Sequence, residues 1–276
     1  MARTRIAVIT GAASGIGRAL AIELARRGAD LALSDIDGPG LELVAETCRA
    51  VGVRVHDEVL DVSDRAQVFA HAAAVTEHLG APTLVLANAG IAASGTVLDQ
   101  APEDVRRVIE VDLFGVIHTC QAFLPLLRDG GGGRLVTVSS VFGLVAAPKQ
   151  SAYNAAKFGV RGYTESLRQE LGLAGIPVTV SCVHPGAVRT AIARSALYAP
   201  DEDGETLMRF LDRMAWTSPT RAARIILRRT AGDRARILIG TDARLMELTA
   251  RIGGAAYTDL VSRSWPGRWI FGATGR

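Results

Sequence analysis

Short apolar runs alternate with longer amphipathic segments along most of the chain. The runs are rich in Val, Ile, Leu and Ala, which is typical of strands that are buried on both faces. The predicted strands cover residues 5–10, 30–35, 54–59, 83–87, 134–139, 178–183 and 236–239. The predicted helices cover residues 15–27, 38–50, 64–79, 101–127, 151–173 and 217–229. Because parallel strands need crossover connections, this alternation predicts an α/β fold with a doubly wound parallel sheet and helices on both faces.

Length and apolar content favour a single domain over residues 1–276. With 49% hydrophobic and 21% charged residues, the chain can bury a large core. We expect a helical lid at about residues 191–216 and a C-terminal helical extension at about residues 241–276.

The charge of the chain is modest overall but uneven. A net charge of +3 favours no particular partner, and we expect no nucleic acid to bind. From Arg213 onward there are 12 arginines and 4 acidic residues. Such a tail can touch anionic lipid, nucleic acid or an acidic protein surface, but a solvated helix face is the commoner explanation.

The cysteines indicate a reducing compartment. Cys48, Cys120 and Cys182 are scattered and show no close metal-ligand spacing. We therefore expect reduced, mostly buried thiols, no metal and a cytoplasmic protein. The N-terminal residues lead directly into the first strand, which predicts no signal peptide, and we expect no apolar run of the ~18 residues that span a bilayer.

A glycine-rich turn follows the first predicted strand and precedes an amphipathic helix. Its sequence from Thr10 to Gly17 is Thr-Gly-Ala-Ala-Ser-Gly-Ile-Gly. Glycines let a phosphate approach the backbone closely, and the helix N-terminus offers free N–H groups and a positive dipole end. Asp35 lies eighteen positions beyond Gly17, at the end of the second strand. The arrangement predicts a dinucleotide site.

Tyr153 and Lys157 are the candidate catalytic pair. Lys157 is one of only two lysines among 31 basic residues, and it lies four positions after the tyrosine, so both share one face of the predicted helix. A nearby cation stabilises a phenolate and lowers the tyrosine pKa from its usual value of about 10. Ser139 and Ser140 supply hydroxyls at the tip of the preceding strand. This set is suited to general acid–base chemistry.

Taken in chain order, these motifs resemble those of the short-chain dehydrogenase/reductase family. The resemblance covers roughly residues 4–240 and implies a Rossmann-type fold and nicotinamide-dependent oxidoreduction, without identifying the substrate. The matching residues are Thr10, Gly11, Gly15, Ile16, Gly17, Asn88, Ala89, Gly90, Ser140, Tyr153, Lys157, Pro185 and Gly186.

NAD is the expected cofactor. A carboxylate at Asp35 can accept both adenosine-ribose hydroxyls and would repel a 2′-phosphate. Family members that prefer NADP usually carry a basic residue where this chain has Ser14 or Ile36. By the resemblance, the other cofactor contacts fall on Gly11, Ser14, Gly15, Ile16, Gly17, Asp61, Val62, Asn88, Ala89, Gly90, Tyr153, Lys157, Pro185, Gly186, Val188 and Thr190.

The resemblance also implies the catalytic roles. Tyr153 transfers the proton, Ser140 polarises the substrate oxygen, and Lys157 lowers the tyrosine pKa and binds the nicotinamide ribose. Family spacing places the serine thirteen positions before the tyrosine, so Ser139 is expected to be structural. Asp112 stands where the family commonly has Asn, whose main-chain carbonyl holds a water that links to the lysine. We expect Asp112 to keep this relay, and its charge to raise the tyrosine pKa.

The expected pocket is apolar, which favours a lipophilic secondary alcohol or ketone, such as an alicyclic or steroid-like compound. A small acyloin or diol is the alternative substrate class, and a non-catalytic dinucleotide sensor is the alternative function. About half of the pocket residues are expected simply to pack the lid. They are Val141, Phe142, Leu144, Val145, Leu197, Tyr198, Met208, Phe210, Leu211, Met214 and Trp216.

Two helices predict a homodimer or homotetramer. Residues 101–127 and 151–173 carry apolar positions beyond one narrow stripe, and the equivalent helices of the family pair across a two-fold axis. The competing explanation is that the C-terminal segment covers this surface. That segment, residues 245–269, is itself amphipathic, and packing against the body or another subunit is favoured over contact with a membrane surface.

Overall fold

The computed structural model describes residues 5–263, apart from positions 191, 193–195, 201, 206–208, 210–212, 214 and 216. Of the predicted pocket residues, Met208, Phe210, Leu211, Met214 and Trp216 therefore lie outside the described residues. The same holds for the end of the C-terminal extension, with Trp265 and Trp269.

The described residues form nine strands. They are β1 (Ile6–Thr10), β2 (Asp30–Asp35), β3 (Val55–Val59), β4 (Leu84–Ala87), β5 (Ala93–Ser94), β6 (Gly133–Val138), β7 (Val178–Pro185), β8 (Leu197–Tyr198) and β9 (Arg236–Ile239). Seven of them make one parallel sheet in the order β3-β2-β1-β4-β6-β7-β9, as the alternating pattern predicted. The short β5 and β8 pair separately and were not predicted, since two residues leave no periodic signal.

The α-helices begin and end close to the predicted positions. They are α1 (Gly15–Arg26), α2 (Gly38–Arg49), α3 (Arg65–His78), α4 (Pro102–Ile109), α5 (Gly115–Asp129), α6 (Ser151–Leu173), α7 (Pro219–Thr230), α8 (Thr241–Gly253) and α9 (Tyr257–Arg263). Asp37 and Asp64 cap α2 and α3 with their side chains, which satisfies backbone N–H groups that a helix start leaves free.

Successive residues of the central strands face two separate apolar layers. In β1, Ala7 and Ile9 pack in the layer that contains α1, α2 and α7, whereas Ile6 and Val8 pack in the layer that contains α3, α5 and α6. Every residue of β1 is buried, as expected of a parallel strand that is covered on both sides. The prediction of a doubly wound sheet is confirmed.

The predicted helix over residues 101–127 contains one wide turn. α4 and α5 are joined by a π-helical turn, Glu110–Phe114, which contains Asp112. Such turns are often found at functional sites, where the extra residue redirects side chains. The whole segment Pro102–Asp129 is long and apolar enough to span a membrane by length and composition, which the sequence reading missed. Half of its apolar window is buried, and α5 packs against α3, β4 and β6, as a core helix does.

Many of the apolar residues of the segments 101–127 and 151–173, which predicted an oligomer, are buried within one chain. Phe114 and Phe158 remain exposed, at 47% and 38%. The described part of the C-terminal extension packs instead against Val141 and Val145, on the segment that follows β6. The buried members of the set are Val108, Val111, Val116, Val160, Leu167 and Leu171.

Candidate active site

The glycine-rich turn between β1 and α1 leaves no room for side chains. Gly11 and Gly15 have positive φ angles of 67° and 53°, which L-residues with a Cβ rarely adopt. A Cβ on Gly17 would overlap the carbonyl oxygen of Gly11. Ser14 is exposed, and Ile16 is partly buried against the core at the start of α1. The turn thus presents bare backbone at a helix N-terminus, which fits the pyrophosphate of a dinucleotide.

Hydrogen bonds fasten this turn to the end of β4. Asn88 donates from Nδ2 to the carbonyl oxygens of Thr10 and Gly11, at 3.0 and 3.1 Å. The hydroxyl of Thr10 accepts from the backbone N–H groups of Asn88 and Ala89, at 3.0 and 3.1 Å. A Cβ on Gly90 would lie 3.1 Å from Nζ of Lys157. Residues 88–90 therefore lie between the glycine turn and Lys157.

Asp35 faces the glycine turn from the end of β2. Its Oδ2 accepts from the backbone N–H of Ala13 at 2.8 Å, and its Oδ1 accepts from that of Asp37 at 3.0 Å. Each oxygen keeps a further lone pair, because a carboxylate oxygen accepts about two hydrogen bonds. The carboxylate is thus fastened beside the glycine turn and can still accept further hydrogen bonds.

Asp61 and Val62, which were expected beside the adenine, follow β3 and have protein partners. The Asp61 carboxylate accepts from the Ser63 hydroxyl and from Arg107, both at 2.7 Å. Burial alone raises the pKa of Asp61, but the hydrogen bonds from Ser63 and Arg107 outweigh it and lower the pKa. Val62 is buried, and its Cγ2 would overlap a Cβ on Gly115 closely, at 2.6 Å.

The loop after β7 returns to the glycine turn. Thr190 lies beside Gly15, with its Cγ2 3.2 Å from the position of an added Cβ. Val188 makes an isolated parallel bridge with Thr217. At the other end of this loop, Asp242 of α8 accepts from the backbone N–H of Ala187 at 2.6 Å.

Pro185 ends β7, and Gly186 follows it directly. A Cβ on Gly186 would overlap the carboxylate of Asp242. The predicted cofactor residues of the first glycine turn, of residues 88–90 and of residues 185–190 therefore surround one region at the carboxyl ends of the strands, where ligands of such sheets bind.

The two serines after β6 have different partners. Ser139 donates its hydroxyl to the carbonyl oxygen of Lys157 at 2.8 Å, so it ties the strand end to α6. Ser140 accepts from the N–H of Phe142 at 3.1 Å, and its side chain is close enough to Tyr153 to lower the pKa of the phenol. The distinction drawn from spacing, with Ser139 structural and Ser140 beside the tyrosine, matches this geometry.

Lys157 lies one helical turn beyond Tyr153 on α6, and both side chains are buried. Its Nζ is 5.5 Å from the centroid of the tyrosine ring and donates to the carbonyl oxygen of Val138 at 3.3 Å. The ring of Phe142 meets the ring of Tyr153 edge-on, with centroids 6.3 Å apart. Tyrosine, lysine and Ser140 are thus brought together as predicted.

The carboxylate of Asp112 joins this group. Its Oδ2 lies 3.0 Å from Nζ of Lys157, and its Oδ1 accepts from the backbone N–H of Ile91 at 2.7 Å. From the sequence, the main-chain carbonyl of Asp112 was expected to be the group that matters at this position. The structure adds a direct ion pair, made by the side chain and buried from solvent.

Burial sets the net direction of the Tyr153 pKa, which is raised. As expected, Lys157 lowers this pKa and the negative charge of Asp112 raises it, and Ser140 also lowers it, but burial is the largest cause. Burial alone lowers the pKa of Lys157, but Asp112 and Tyr153 outweigh this and raise it. The lysine is therefore held as a cation beside a neutral phenol.

His184 is a buried neighbour of the site that the sequence reading missed. Its Nδ1 lies 2.9 Å from the carbonyl oxygen of Ser140. Burial lowers its pKa to about 4, so the imidazole is neutral near pH 7 and positions the Ser140 backbone as a hydrogen-bond donor. The sequence feature that could have indicated it is the position of this histidine near the end of an apolar strand, just before Pro185.

The predicted pocket residues divide into two groups. Val141 and Val145 pack with Ala243 of the C-terminal extension, and Leu144 is buried as well, so these three are packing residues. Phe142 and Leu197 instead pack against the cluster that contains Tyr153. Tyr198 adjoins Leu197 in the short strand β8. Among the described residues, the apolar surface beside the catalytic tyrosine is therefore smaller than predicted.

Comparisons with known proteins agree with this geometry. SadH of Mycobacterium tuberculosis, which is named as an oxidoreductase, is 48% identical over 259 residues and 94% of each chain. A short chain dehydrogenase/reductase from Burkholderia phymatum, solved in complex with NAD, has a TM-score of 0.86 at 31% identity and covers 92% of this chain and 95% of its own.

An alcohol dehydrogenase from Thermococcus sibiricus, solved with 5-hydroxy-NADP, has a TM-score of 0.74 at 29% identity and covers 85% of this chain and 95% of its own. Residues 5–200 match the family described as short chain dehydrogenase. With its parallel seven-stranded sheet, its glycine turn and the Ser140, Tyr153 and Lys157 cluster, the chain belongs to the short-chain dehydrogenase/reductase family of oxidoreductases.

Proposed function

We propose that this protein is an NAD-dependent dehydrogenase/reductase that interconverts a lipophilic secondary alcohol and its ketone. The observation that carries the proposal is the grouping of Ser140 and Tyr153 with the buried ammonium of Lys157, which lies 5.5 Å from the centroid of the tyrosine ring. This arrangement supplies a proton donor and acceptor, a group that polarises the substrate oxygen, and a charge that stabilises the phenolate.

The glycine turn and Asp35 fit a nicotinamide dinucleotide, which supplies or accepts the hydride when it is bound. Around it, Tyr153 exchanges a proton with the substrate oxygen and Ser140 orients that oxygen. Lys157 stabilises the deprotonated tyrosine and offers an ammonium donor to the nicotinamide ribose. Asp112 fixes the position of the lysine ammonium group.

NAD rather than NADP is supported by the position of Asp35. Its carboxylate lies at the end of β2, bonded to the glycine turn, where a 2′-phosphate would meet a like charge. Ile36, the next residue, is apolar and exposed, and Ser14 carries no charge. Relatives of similar structure have been solved with each type of dinucleotide, so this proposal rests on the residues of this chain.

A lipophilic substrate is supported by what surrounds Tyr153. Phe142 packs edge-on against the tyrosine ring, and Leu197 packs against the same cluster. The same cluster also contains Ala152, Ala156 and Val108.

The test is a screen of alicyclic and steroid alcohols, acyloins, diols and polyols with NAD, followed by NADH absorbance. We expect alicyclic or steroid alcohols to give the highest kcat/KM. Tyr153→Phe is the matched control, because it removes only the phenol oxygen and should reduce turnover at least about 100-fold while NAD still binds. Tight NAD binding without turnover of any alcohol or ketone would instead support a dinucleotide sensor.

A further inference from the structure

Three of the five histidines of the chain stack at one edge of the sheet. The ring of His56, on the edge strand β3, lies between two histidines of α3. Its centroid is 5.7 Å from that of His71 and 4.7 Å from that of His78. The strands β2, β1 and β4 separate β3 from β6, which leads to the catalytic serine. This histidine group is therefore apart from the oxidoreductase site.

Glu58 adds a carboxylate to two of these rings. It lies two residues after His56 on β3, so both side chains project from the same face of the strand. Its Oε2 is 2.7 Å from Nδ1 of His71 and 3.7 Å from Nε2 of His56. Together, His56, Glu58 and His71 place one donor atom each within 4.8 Å of one another.

The hydrogen bonds of the described residues leave one donor atom of this group without a partner. Nε2 of His56 is buried and has no hydrogen-bond partner among the described residues. This atom faces Glu58. Leaving such an atom unbonded is costly, which indicates that a further group can occupy this space.

We propose that His56, Glu58 and His71 form a binding site for a divalent transition-metal ion, for which Zn²⁺ is the best chemical fit. Two imidazole nitrogens and one carboxylate oxygen suit zinc, whereas Mg²⁺ and Ca²⁺ prefer oxygen ligands alone. With metal–ligand distances near 2.1 Å, neighbouring ligand atoms of a tetrahedral zinc lie roughly 3.3 Å apart. The separations of 2.7 and 3.7 Å bracket this value.

Water would complete the coordination. The side chains of Glu58 and His56 are 37% and 20% exposed, so the site lies near the surface. The metal would link the edge strand β3 to α3, which the contact between Glu58 and His71 already joins. Its expected role is to stabilise this edge, because the ligands lie outside the catalytic group.

The experiment uses untagged protein that has been treated with EDTA and returned to chelator-free buffer. Zn²⁺ is titrated by calorimetry, Co²⁺ binding is followed by its visible absorption, and thermal unfolding is recorded with and without Zn²⁺. We expect saturable 1:1 binding, a raised Tm and weaker binding at acid pH, because protons compete for imidazole.

Three variants make the test specific. His56→Gln and Glu58→Gln each remove one ligand, and each should weaken Zn²⁺ affinity at least about tenfold and abolish the rise in Tm. His78→Gln is the matched control, since His78 stacks on His56 but lies outside the donor set, and it should bind Zn²⁺ as the unaltered protein does. The two ligand variants should keep full oxidoreductase activity, which verifies that they fold.

Two outcomes would overturn the proposal. One is the absence of saturable 1:1 binding to the unaltered protein, which would leave Glu58 and His71 as a structural hydrogen-bonded pair. The other is equal Zn²⁺ affinity in the unaltered protein and in folded His56→Gln, which would place the ion elsewhere in the chain.

Discussion

Nζ of Lys157 and Oδ2 of Asp112 form an ion pair 3.0 Å apart, and both side chains are almost completely buried. The pair lies directly behind the catalytic tyrosine, so the carboxylate acts on the same cation that stabilises the phenolate. A buried pair of this kind is not in itself a source of net stability, but removing one partner leaves the other charge uncompensated. The pair therefore sets the electrostatic environment of Tyr153.

Asp112→Asn should shift the pH dependence of kcat/KM for alcohol oxidation toward lower pH. After burial, which is the largest cause, the negative charge of Asp112 helps to raise the pKa of Tyr153. Without that charge the reactive phenolate forms at lower pH. The asparagine oxygen can still accept from the N–H of Ile91, so the local structure should be kept. The measurement is kcat/KM as a function of pH for both proteins. An unchanged profile would contradict the assignment.

Ser140→Ala should reduce turnover, whereas Ser139→Ala should reduce stability. Loss of the Ser140 hydroxyl removes the partner of Tyr153 and should reduce kcat about 100-fold with little change in stability. Loss of the Ser139 hydroxyl removes its bond to the Lys157 carbonyl and should cost about 1 kcal/mol of unfolding free energy while kcat stays within a few-fold. Steady-state kinetics and urea unfolding of both variants measure the contrast, and a reversed pattern would exchange the two roles.

NAD should be preferred over NADP by at least about tenfold in kcat/KM, which corresponds to ~1.4 kcal/mol. Asp35→Ala should shrink this ratio, because the carboxylate at the end of β2 is removed. Asp37→Ala is the matched control, since Asp37 caps α2 through Gly40 and its loss should lower stability without changing the ratio. Equal use of both cofactors by the unaltered protein would refute the preference.

The free energy of unfolding should fall as the pH drops from about 6.5 toward 4. Burial lowers the pKa of His184 to about 4 from its ordinary 6.5, so in this interval the unfolded chain binds a proton that the folded chain does not. The contribution present above pH 6.5 is about 3 kcal/mol and is lost through that window. His184→Asn should make the pH dependence shallower in urea unfolding; it should not abolish it, because burial also lowers the pKa of His71.

Light scattering at micromolar concentration should give a multiple of the 29.1 kDa chain mass. Phe114 and Phe158 are the exposed aromatic residues of the two helices concerned, so Phe114→Glu with Phe158→Glu should yield monomers. Leu98→Glu alters a still more exposed apolar residue outside those helices and should leave the assembly intact. A monomeric unaltered protein would favour the view that these helices need no partner.

The sequence predicted the features that repeat or carry fixed spacing. Alternating apolar runs were sufficient for the parallel sheet, and the thirteen-residue interval to Tyr153 distinguished Ser140 from Ser139. What it could not predict depends on distances across the fold. The charge on Asp112 becomes decisive only because a wide helical turn brings it to Lys157, and the net raised pKa of Tyr153 follows from burial, which no local pattern records.

Distance in sequence also hid the histidine group. His56 lies on β3 and His71 lies on α3, and the residue spacing within either element does not indicate a metal site. Conversely, Val141 and Val145 looked like pocket residues because they follow the catalytic strand, yet α8 covers them. Periodicity reveals which residues are apolar on a face, but not which distant segment covers that face.

The bond from Ala187 to Asp242 has a consequence for how relatives can be recombined. Asp242 lies beyond residues 5–200, the part that matches the family, yet it holds the loop at Gly186 that faces the dinucleotide turn. The C-terminal region therefore cannot be exchanged between relatives without affecting the loop after β7. Consider a chimera whose segment after residue 240 comes from a relative without this carboxylate. It would lose the hydrogen bond that holds the loop at Ala187, even if Ser140, Tyr153 and Lys157 were all kept.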